Sequence, residues 1–221
     1  MKTLIACSWV VTTFLFVSLT FAGVWEEDFD AGEPDGWTAV VGKWAVEKGE
    51  YVEQQGPAYA KLMFGDIEWT DYCIEVDVTV GDKASCNCLG LLVRADETGD
   101  NAMRFWIRTD QWKCQVSRWK PGNVFEHIAD QIELDIKSGK TYHLRVIAEG
   151  KNYQYFVDGE KVFDDKDPQD SRQAGRIGFI AHQTNPRFDN LRIEGDDIPP
   201  SAVDAKGKLA TFWSRVKVRS K

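Results

Sequence analysis

Long apolar runs are scarce in this 221-residue chain: beyond the first 22 residues no stretch is long enough to span a bilayer. Histidine is rare as well. His127, His143 and His182 are scattered, and none has a metal-like partner two or four positions away. The Gly-x-Ser-x-Gly elbow, the His-Glu-x-x-His helix and the phosphate-cradling glycine loop are all missing, which removes the commonest hydrolase, zinc-peptidase and nucleotide-binding signatures. For a lone histidine on a polar strand face, as at His143, the sequence shows no orienting partner of the kind acid–base catalysis needs, and solvation is the plainer reading. Helical periodicity is nearly absent before residue 200, so a doubly wound α/β fold is excluded.

Positive charge is also in short supply in the body of the chain. The net charge of −8 combines an acidic body, residues 23–198 with 20 basic against 34 acidic residues, and a basic tail from 199 onward. An acidic body repels phosphate backbones, so nucleic acid is not an expected partner. Residues 1–22 have an export-leader layout: basic Lys2, apolar Leu4 to Leu19, and small residues in Thr20-Phe21-Ala22 before a cut after Ala22. The acidic Glu26-Glu27-Asp28 follows at once, without the basic residues of a stop-transfer anchor. Leu4-Ile5-Ala6-Cys7 looks like a lipobox, but most of the apolar segment follows the cysteine instead of preceding it. The expected location is therefore secreted or periplasmic, with three segments: leader 1–22, one folded domain 23–198, and a linker plus tail 199–221.

What the chain does have is alternation. Tyr72, Ile74, Val76, Val78 and Val80 alternate with Cys73, Glu75, Asp77 and Thr79, and Tyr142, Leu144, Val146 and Ala148 alternate with polar neighbours, as half-buried antiparallel strands require. Lys48-Gly49 and Asp158-Gly159 sit between such runs, where two-residue hairpins demand positive φ. Gly90-Leu91-Leu92-Val93 is apolar on both faces and reads as a central strand. The matched ends, Trp25-Glu26-Glu27-Asp28-Phe29-Asp30 and Arg187-Phe188-Asp189-Asn190-Leu191-Arg192-Ile193, are expected to pair in one sheet and close a sandwich.

These end motifs, with Gly90-Leu91-Leu92-Val93-Arg94-Ala95 and Tyr155-Phe156-Val157-Asp158-Gly159-Glu160, resemble the concanavalin A-like lectin/glucanase superfamily over Val24 to Glu194. The laminin G-like domains, the family 66 carbohydrate-binding modules and the 3-keto-disaccharide hydrolase-like domains are the nearest in pattern. The resemblance implies an all-β, two-sheet antiparallel jelly roll and a carbohydrate partner. The expected function is a lectin-like module binding a poly- or oligosaccharide on a concave sheet face, with two alternatives: a glycoside hydrolase-like enzyme of the 3-keto-disaccharide hydrolase-like type, or a structural or adhesion module without a glycan site. Glu75-Val76-Asp77-Val78 resembles part of the Glu-x-Asp-x-x-Glu signature of family 16 glycoside hydrolases, but Val80 or Thr79 stands where the second essential carboxylate belongs. No catalytic residue is assigned.

The candidate binding row lies on the strand Ala102 to Arg108. Met103, Phe105 and Ile107 point one way, and Arg104, Trp106 and Arg108 the other. Sugar C–H faces stack on indole, and hydroxyls accept hydrogen bonds from arginine. Arg94 on the adjacent strand, and Trp112 and Trp119 on or beside the next, complete the set, against the alternative that Trp106 packs under a loop and the arginines pair with local carboxylates. Asp28, Asp30 and Asp189 are the candidate ligands of a structural calcium where the two ends meet, although no compact loop gathers six oxygens. Of the four cysteines left after the leader, Cys114 is expected to bridge to Cys86 or Cys88 if the strands near 72, 87, 101 and 112 form a meander. The tail carries Val203, Leu209, Phe212, Trp213 and Val216 as a weak helical stripe among basic residues, and is a candidate contact for the acidic body, a partner protein or an anionic surface.

The leader reading has a direct check. Expressed in a bacterial host and recovered outside the cytoplasm, the protein should give an N-terminal sequence starting at Gly23, and exported material beginning at Met1 would overturn it.

Overall fold

The computed structural model describes residues 23–81, 88–111, 113–129, 132–166 and 172–200, all in strands and the loops between them. Sixteen strands succeed one another among the described residues. They are β1 (Gly23–Glu27), β2 (Thr38–Val41), β3 (Trp44–Glu47), β4 (Glu50–Glu53), β5 (Ala60–Phe64), β6 (Tyr72–Thr79), β7 (Cys88–Ala95) and β8 (Ala102–Arg108), then β9 (Lys113–Lys120), β10 (Val124–His127), β11 (Ile132–Glu133), β12 (Thr141–Glu149), β13 (Asn152–Val157), β14 (Glu160–Lys166), β15 (Arg176–His182) and β16 (Arg187–Gly195). Sheet one runs β14-β13-β12-β6-β16-β4-β3 with β1 also on β16, and sheet two runs β10-β9-β8-β7-β15-β5-β2 with β11 on β9. All pairings among these strands are antiparallel. The result is the expected jelly-roll sandwich. No helix among the described residues is long and apolar enough to cross a membrane.

The two ends pair as the sequence suggests, with Gly23 opposite Gly195 and Glu27 opposite Leu191. Strand β16 does not keep strict alternation. A bulge between Asp189 and Arg192, with Asn190 at φ 52°, lets Phe188, Leu191 and Ile193 all face the core despite their uneven spacing. The hairpin turns adopt the left-handed backbone their residues favour: Lys48 and Gly49 lie at φ 57° and 79°, Asp158 and Gly159 at 50° and 81°.

Alternation buries one side of each half-exposed strand. Tyr72, Ile74, Val76 and Val78 of β6 enter the core with Tyr142, Leu144, Val146 and Ala148 of β12. Aromatic rings join the layers. Phe179 of β15 stacks on Phe188 of β16 at 4.1 Å, and Trp37 stacks on Phe64 at 3.9 Å and on Tyr51 at 5.3 Å.

Arg94 fastens the sheets at the end of β7. It takes a left-handed backbone, φ 50°, and is 1% exposed. Its amide donates to Tyr72 Oη at 2.8 Å. The guanidinium donates to Thr70 O at 3.0 Å, Tyr153 Oη at 3.1 Å, Gly150 O and Asp71 Oδ1 at 2.8 Å. This placement corrects the sequence reading, which set Arg94 beside Arg104 on a binding face. The left-handed residue breaks the alternation and sends the side chain toward sheet one.

Two further expectations are corrected. Strand β6 is not part of a meander with β7, β8 and β9, because it lies in the opposite sheet between β12 and β16. Cys88 and Cys114 face opposite sides of sheet two, since Cys88 is opposite Arg108 and Cys114 is opposite Ile107, one residue out of phase. A bridge between them would have to pass through β8. The other expected partner, Cys86, lies outside the described residues, as do the leader and the tail from Ser201. Cys114 sits in the core, and burial pushes its thiol up to about 12.

Removing the Arg94 fastening should be costly, because Tyr153 Oη and two backbone carbonyls lose a charged donor together. Arg94→Met is expected to lower unfolding stability in urea by about 3 kcal/mol. A loss below about 1 kcal/mol, the worth of an ordinary surface ion pair, would show that the network carries little.

Candidate binding face

The outer face of sheet two is assembled from alternate residues of β8, β9, β7 and β15. Arg104, Trp106 and Arg108 share this side of β8, and Met103, Phe105 and Ile107 enter the core on the other. Register then places Ser117 beside Arg104, Gln115 beside Trp106, and Trp119 beside Ala102. Strand β10 adds Phe125 opposite Trp119 and His127 opposite Ser117, and β15 adds His182 opposite Cys88. Gly90 lies opposite Trp106, where a Cβ would collide with the backbone of Phe105 and Trp106. A glycine is needed there for β8 to approach β7 closely.

Arg104 is the centre of this face. Its carbon Cζ lies 3.6 Å from the Trp106 ring centroid, 4.3 Å from that of Phe125 and 5.8 Å from that of Trp119. Nε donates to Ser117 Oγ at 3.0 Å. Trp106 Nε1 donates to Gln115 Oε1 at 2.7 Å, and the Gln115 amide meets His127 Nδ1 at 2.7 Å. Beyond them, Arg108 grips Asp110 in a two-point pair at 2.8 and 3.2 Å, and the Cys88 thiol also donates to Asp110, at 3.8 Å.

The sequence expected an exposed platform, and the structure places the row deeper. Arg104 is 2% exposed, Trp106 4% and Trp119 fully buried. Trp106 is therefore both site wall and packing element, and its truncation would cost stability as well as surface. Trp112 lies outside the described residues. Sequence reasoning missed Tyr59, Phe125 and His182, the half-buried rim. The Tyr59 ring lies 4.4 Å from His182, 5.1 Å from Trp119 and 5.4 Å from Phe125. Tyr59 belongs to a loop at φ 56°, and β10 is four residues long, so neither gave a period to read.

Hydrogen bonding runs out at the middle of the face. Arg104 Nη1, Trp119 Nε1 and His182 Nδ1 are buried without a hydrogen-bond partner. Water or a ligand can fill such positions, and six other buried side-chain atoms among the described residues are in the same state. Burial, unrelieved by a nearby carboxylate, pulls the Arg104 guanidinium down to about 9. Burial first, then the charges of Arg104 and Arg108, hold His182 below the usual histidine value, with Asp110 opposing them. The face thus sets buried hydrogen-bond donors among aromatic rings.

Sheet one presents a different outer surface, half-exposed and covered by ion pairs. Glu75 meets Arg145 at 3.1 Å, Asp77 meets His143 Nδ1 at 2.8 Å, and Asn190 donates to Asp77 at 3.0 Å. The proposed calcium ligands come from two places in the chain, with Asp30 close enough to Asp189 to act on its charge. Asp28 and Asp30 lie in the loop after β1, where Asp28 Oδ1 accepts the Asp30 amide at 3.2 Å, and Asp189 accepts the Asn190 amide at 2.7 Å. Burial, with Glu50, Asp77 and Asp30 nearby, raises the Asp189 carboxyl. Among the described residues, no group of three or more His, Cys, Asp and Glu side chains is arranged to hold a metal ion.

Comparison with known proteins agrees with this architecture. Residues 24–194 match the family model described as a 3-keto-alpha-glucoside-1,2-lyase-like domain. Levanase of Bacillus subtilis (strain 168) is 25% identical over 160 residues, and the match covers 72% of this chain and 23% of that enzyme. The chain therefore corresponds to about a quarter of this relative's length. Among solved structures, the carbohydrate-binding module of family 66 from Bacillus subtilis superposes with a TM-score of 0.66 at 22% identity, over 72% of this chain and 96% of the module. The catalytic domain of an endo-1,3-beta-glucanase from Thermotoga petrophila gives 0.54 at 12% identity, over 79% and 97%.

The electrostatics of the face can be measured at His182. Because the folded-state value lies below the unfolded one, the neutral ring's contribution is fully present above about pH 6.5 and is lost as pH falls toward the folded value. Arg104→Gln removes one of the two repelling cations, so NMR titration of the His182 ring should show its pKa rising toward the ordinary histidine value. An unchanged titration would mean that the Arg104 charge does not reach the ring.

Proposed function

The chain belongs to the 3-keto-alpha-glucoside-1,2-lyase-like domain family, and from that premise we propose that it is an exported carbohydrate-binding module whose site is the outer face of sheet two. The observation that carries this reading is the set of buried, unpartnered donors, Arg104 Nη1 and Trp119 Nε1, among aromatic rings. Sugars answer both features, since their hydroxyls accept hydrogen bonds while their C–H faces lie against indole and phenyl rings. Likeness to a carbohydrate-binding module and to a segment of levanase supports the same class of ligand. Export is inferred from the leader layout of residues 1–22.

A second reading, cleavage of a glycoside, is favoured by the family's description and by one pair on sheet one. Asp77 holds His143 Nδ1 at 2.8 Å, an arrangement that leaves the other ring nitrogen to act as a base. Elimination across C1 and C2 of a 3-keto-glucoside needs such a base to take the C2 proton while the glycosidic oxygen leaves. Glu75 has no part in either reading, because it pairs with Arg145.

A glycan array followed by calorimetry tests the first reading. Phe125→Ala removes a half-buried rim ring and should weaken glycan binding by about 1–3 kcal/mol with a smaller change in melting temperature. Retained affinity would move the site off this face. If the protein releases sugar from a 3-keto-glucoside and His143→Gln abolishes that release without altering glycan binding, the enzymatic reading stands beside or above the binding one.

A further inference from the structure

We propose that the glycan taken by this face is an acidic one, a chain whose sugars carry carboxylates, and that Arg104 is the residue that reads the charge. The inference rests on the carbohydrate reading above and narrows it. Its basis is a local imbalance of charge. Two other cations of the face have carboxylate partners, Lys61 with Asp100 at 2.5 Å and Arg108 with Asp110 at 2.8 Å, and a third, Lys113 opposite Arg108, is only half-buried. Arg104 has no carboxylate within ion-pair distance among the described residues, although it is the most deeply placed arginine on the face at 2% exposed.

Its aromatic neighbours compensate only part of that deficit. Trp106 and Phe125, at 3.6 and 4.3 Å, are close enough for a cation–π interaction, which acts on the flat faces of the guanidinium. The N–H groups lie in the plane between those faces. There Ser117 occupies Nε, and Nη1 is left without an acceptor. A buried charge without a counter-charge is costly, and a neutral hydroxyl would accept one hydrogen bond while leaving the charge uncompensated. A carboxylate supplies two acceptor oxygens and the missing negative charge in the geometry a guanidinium fork fits. Trp119 Nε1 and His182 Nδ1 are also unpartnered on this face, free to engage the sugar's hydroxyls.

The test compares one sugar chain with and without its charge. Calorimetry on the full leaderless protein would use a short oligogalacturonate and its fully methyl-esterified counterpart, which keeps the ring and hydroxyls but removes the negative charge. The acid should bind at least about tenfold more tightly than the ester. Arg104→Gln, which keeps donors and loses charge, should erase that ratio, while Arg104→Lys should keep part of it. The wild-type comparison needs no variant, so a poorly folding Arg104→Gln leaves the proposal exposed to refutation. Equal affinity for acid and ester, or binding of neutral glycans alone, overturns the acidic preference and leaves the carbohydrate reading standing. An unchanged ratio in a folded Arg104→Gln also overturns it. Failure to bind any glycan on a broad array, acidic or neutral, removes both.

Discussion

Burial on both sides governs sheet two. All eight residues of β7 are buried, and so are the outward-facing Arg104, Trp106, Gln115, Ser117 and Trp119 of β8 and β9. A polar group in such a layer must find its partner within the layer, because water is not at hand to supply one. Ser117 serves Arg104, and Gln115 serves both Trp106 and His127. These pairings fix the rotamers of the neighbouring rings and so give the face a rigid floor. In the binding reading proposed above, a rigid floor would take its ligand without first having to order itself.

Sheet one is held under the opposite regime. Its outer side is half-exposed, and cross-strand pairs such as Glu75 with Arg145 and Asp77 with His143 answer one another directly across the strands. Each such pair contributes little in water. The sheet is secured instead from its inner side, by the tyrosines and aliphatic residues of β6, β12 and β13 and by the Arg94 guanidinium reaching over from β7. The division of labour comes from solvent alone: the same residue types give loose surface pairs on one sheet and a tightly specified network on the other.

Period-two alternation made the sandwich legible from the chain. Tyr72 to Val78, Tyr142 to Ala148 and the two-sided Gly90 to Val93 all read correctly, because a pleated strand maps its sequence onto two faces without needing knowledge of its neighbours. The end-to-end pairing was legible for the same reason. Sheet membership was not: β6 and β7 are consecutive in the chain and belong to opposite layers, and nothing in either strand marks the crossing. Arg94 was misread because a single left-handed residue turns its own side chain out of the alternating pattern, and φ is not written in an arginine codon. At the candidate site, the row of Arg104, Trp106 and Arg108 on one side of β8 came from alternation. The depth at which the row lies, and the contributions of Tyr59, Phe125 and His182, depend on loops and on a distant strand, which only the assembled fold brings together.

The position of β16 has a kinetic meaning. This last strand lies in the interior of sheet one, between β6 and β4 and also paired with the first strand, β1. More than a hundred residues separate β6 from β16, so the largest step in sheet closure depends on contacts of great sequence separation. Chains of this kind fold slowly, since the entropy of closing long loops is lost before the contacts that repay it are made. Until residues 187–195 arrive, the facing edges of β6 and β4 present unpaired backbone groups, the condition in which strands recruit other chains. A nascent or truncated chain lacking β16 therefore bares the edges of two strands at once, the form most open to pairing with another chain.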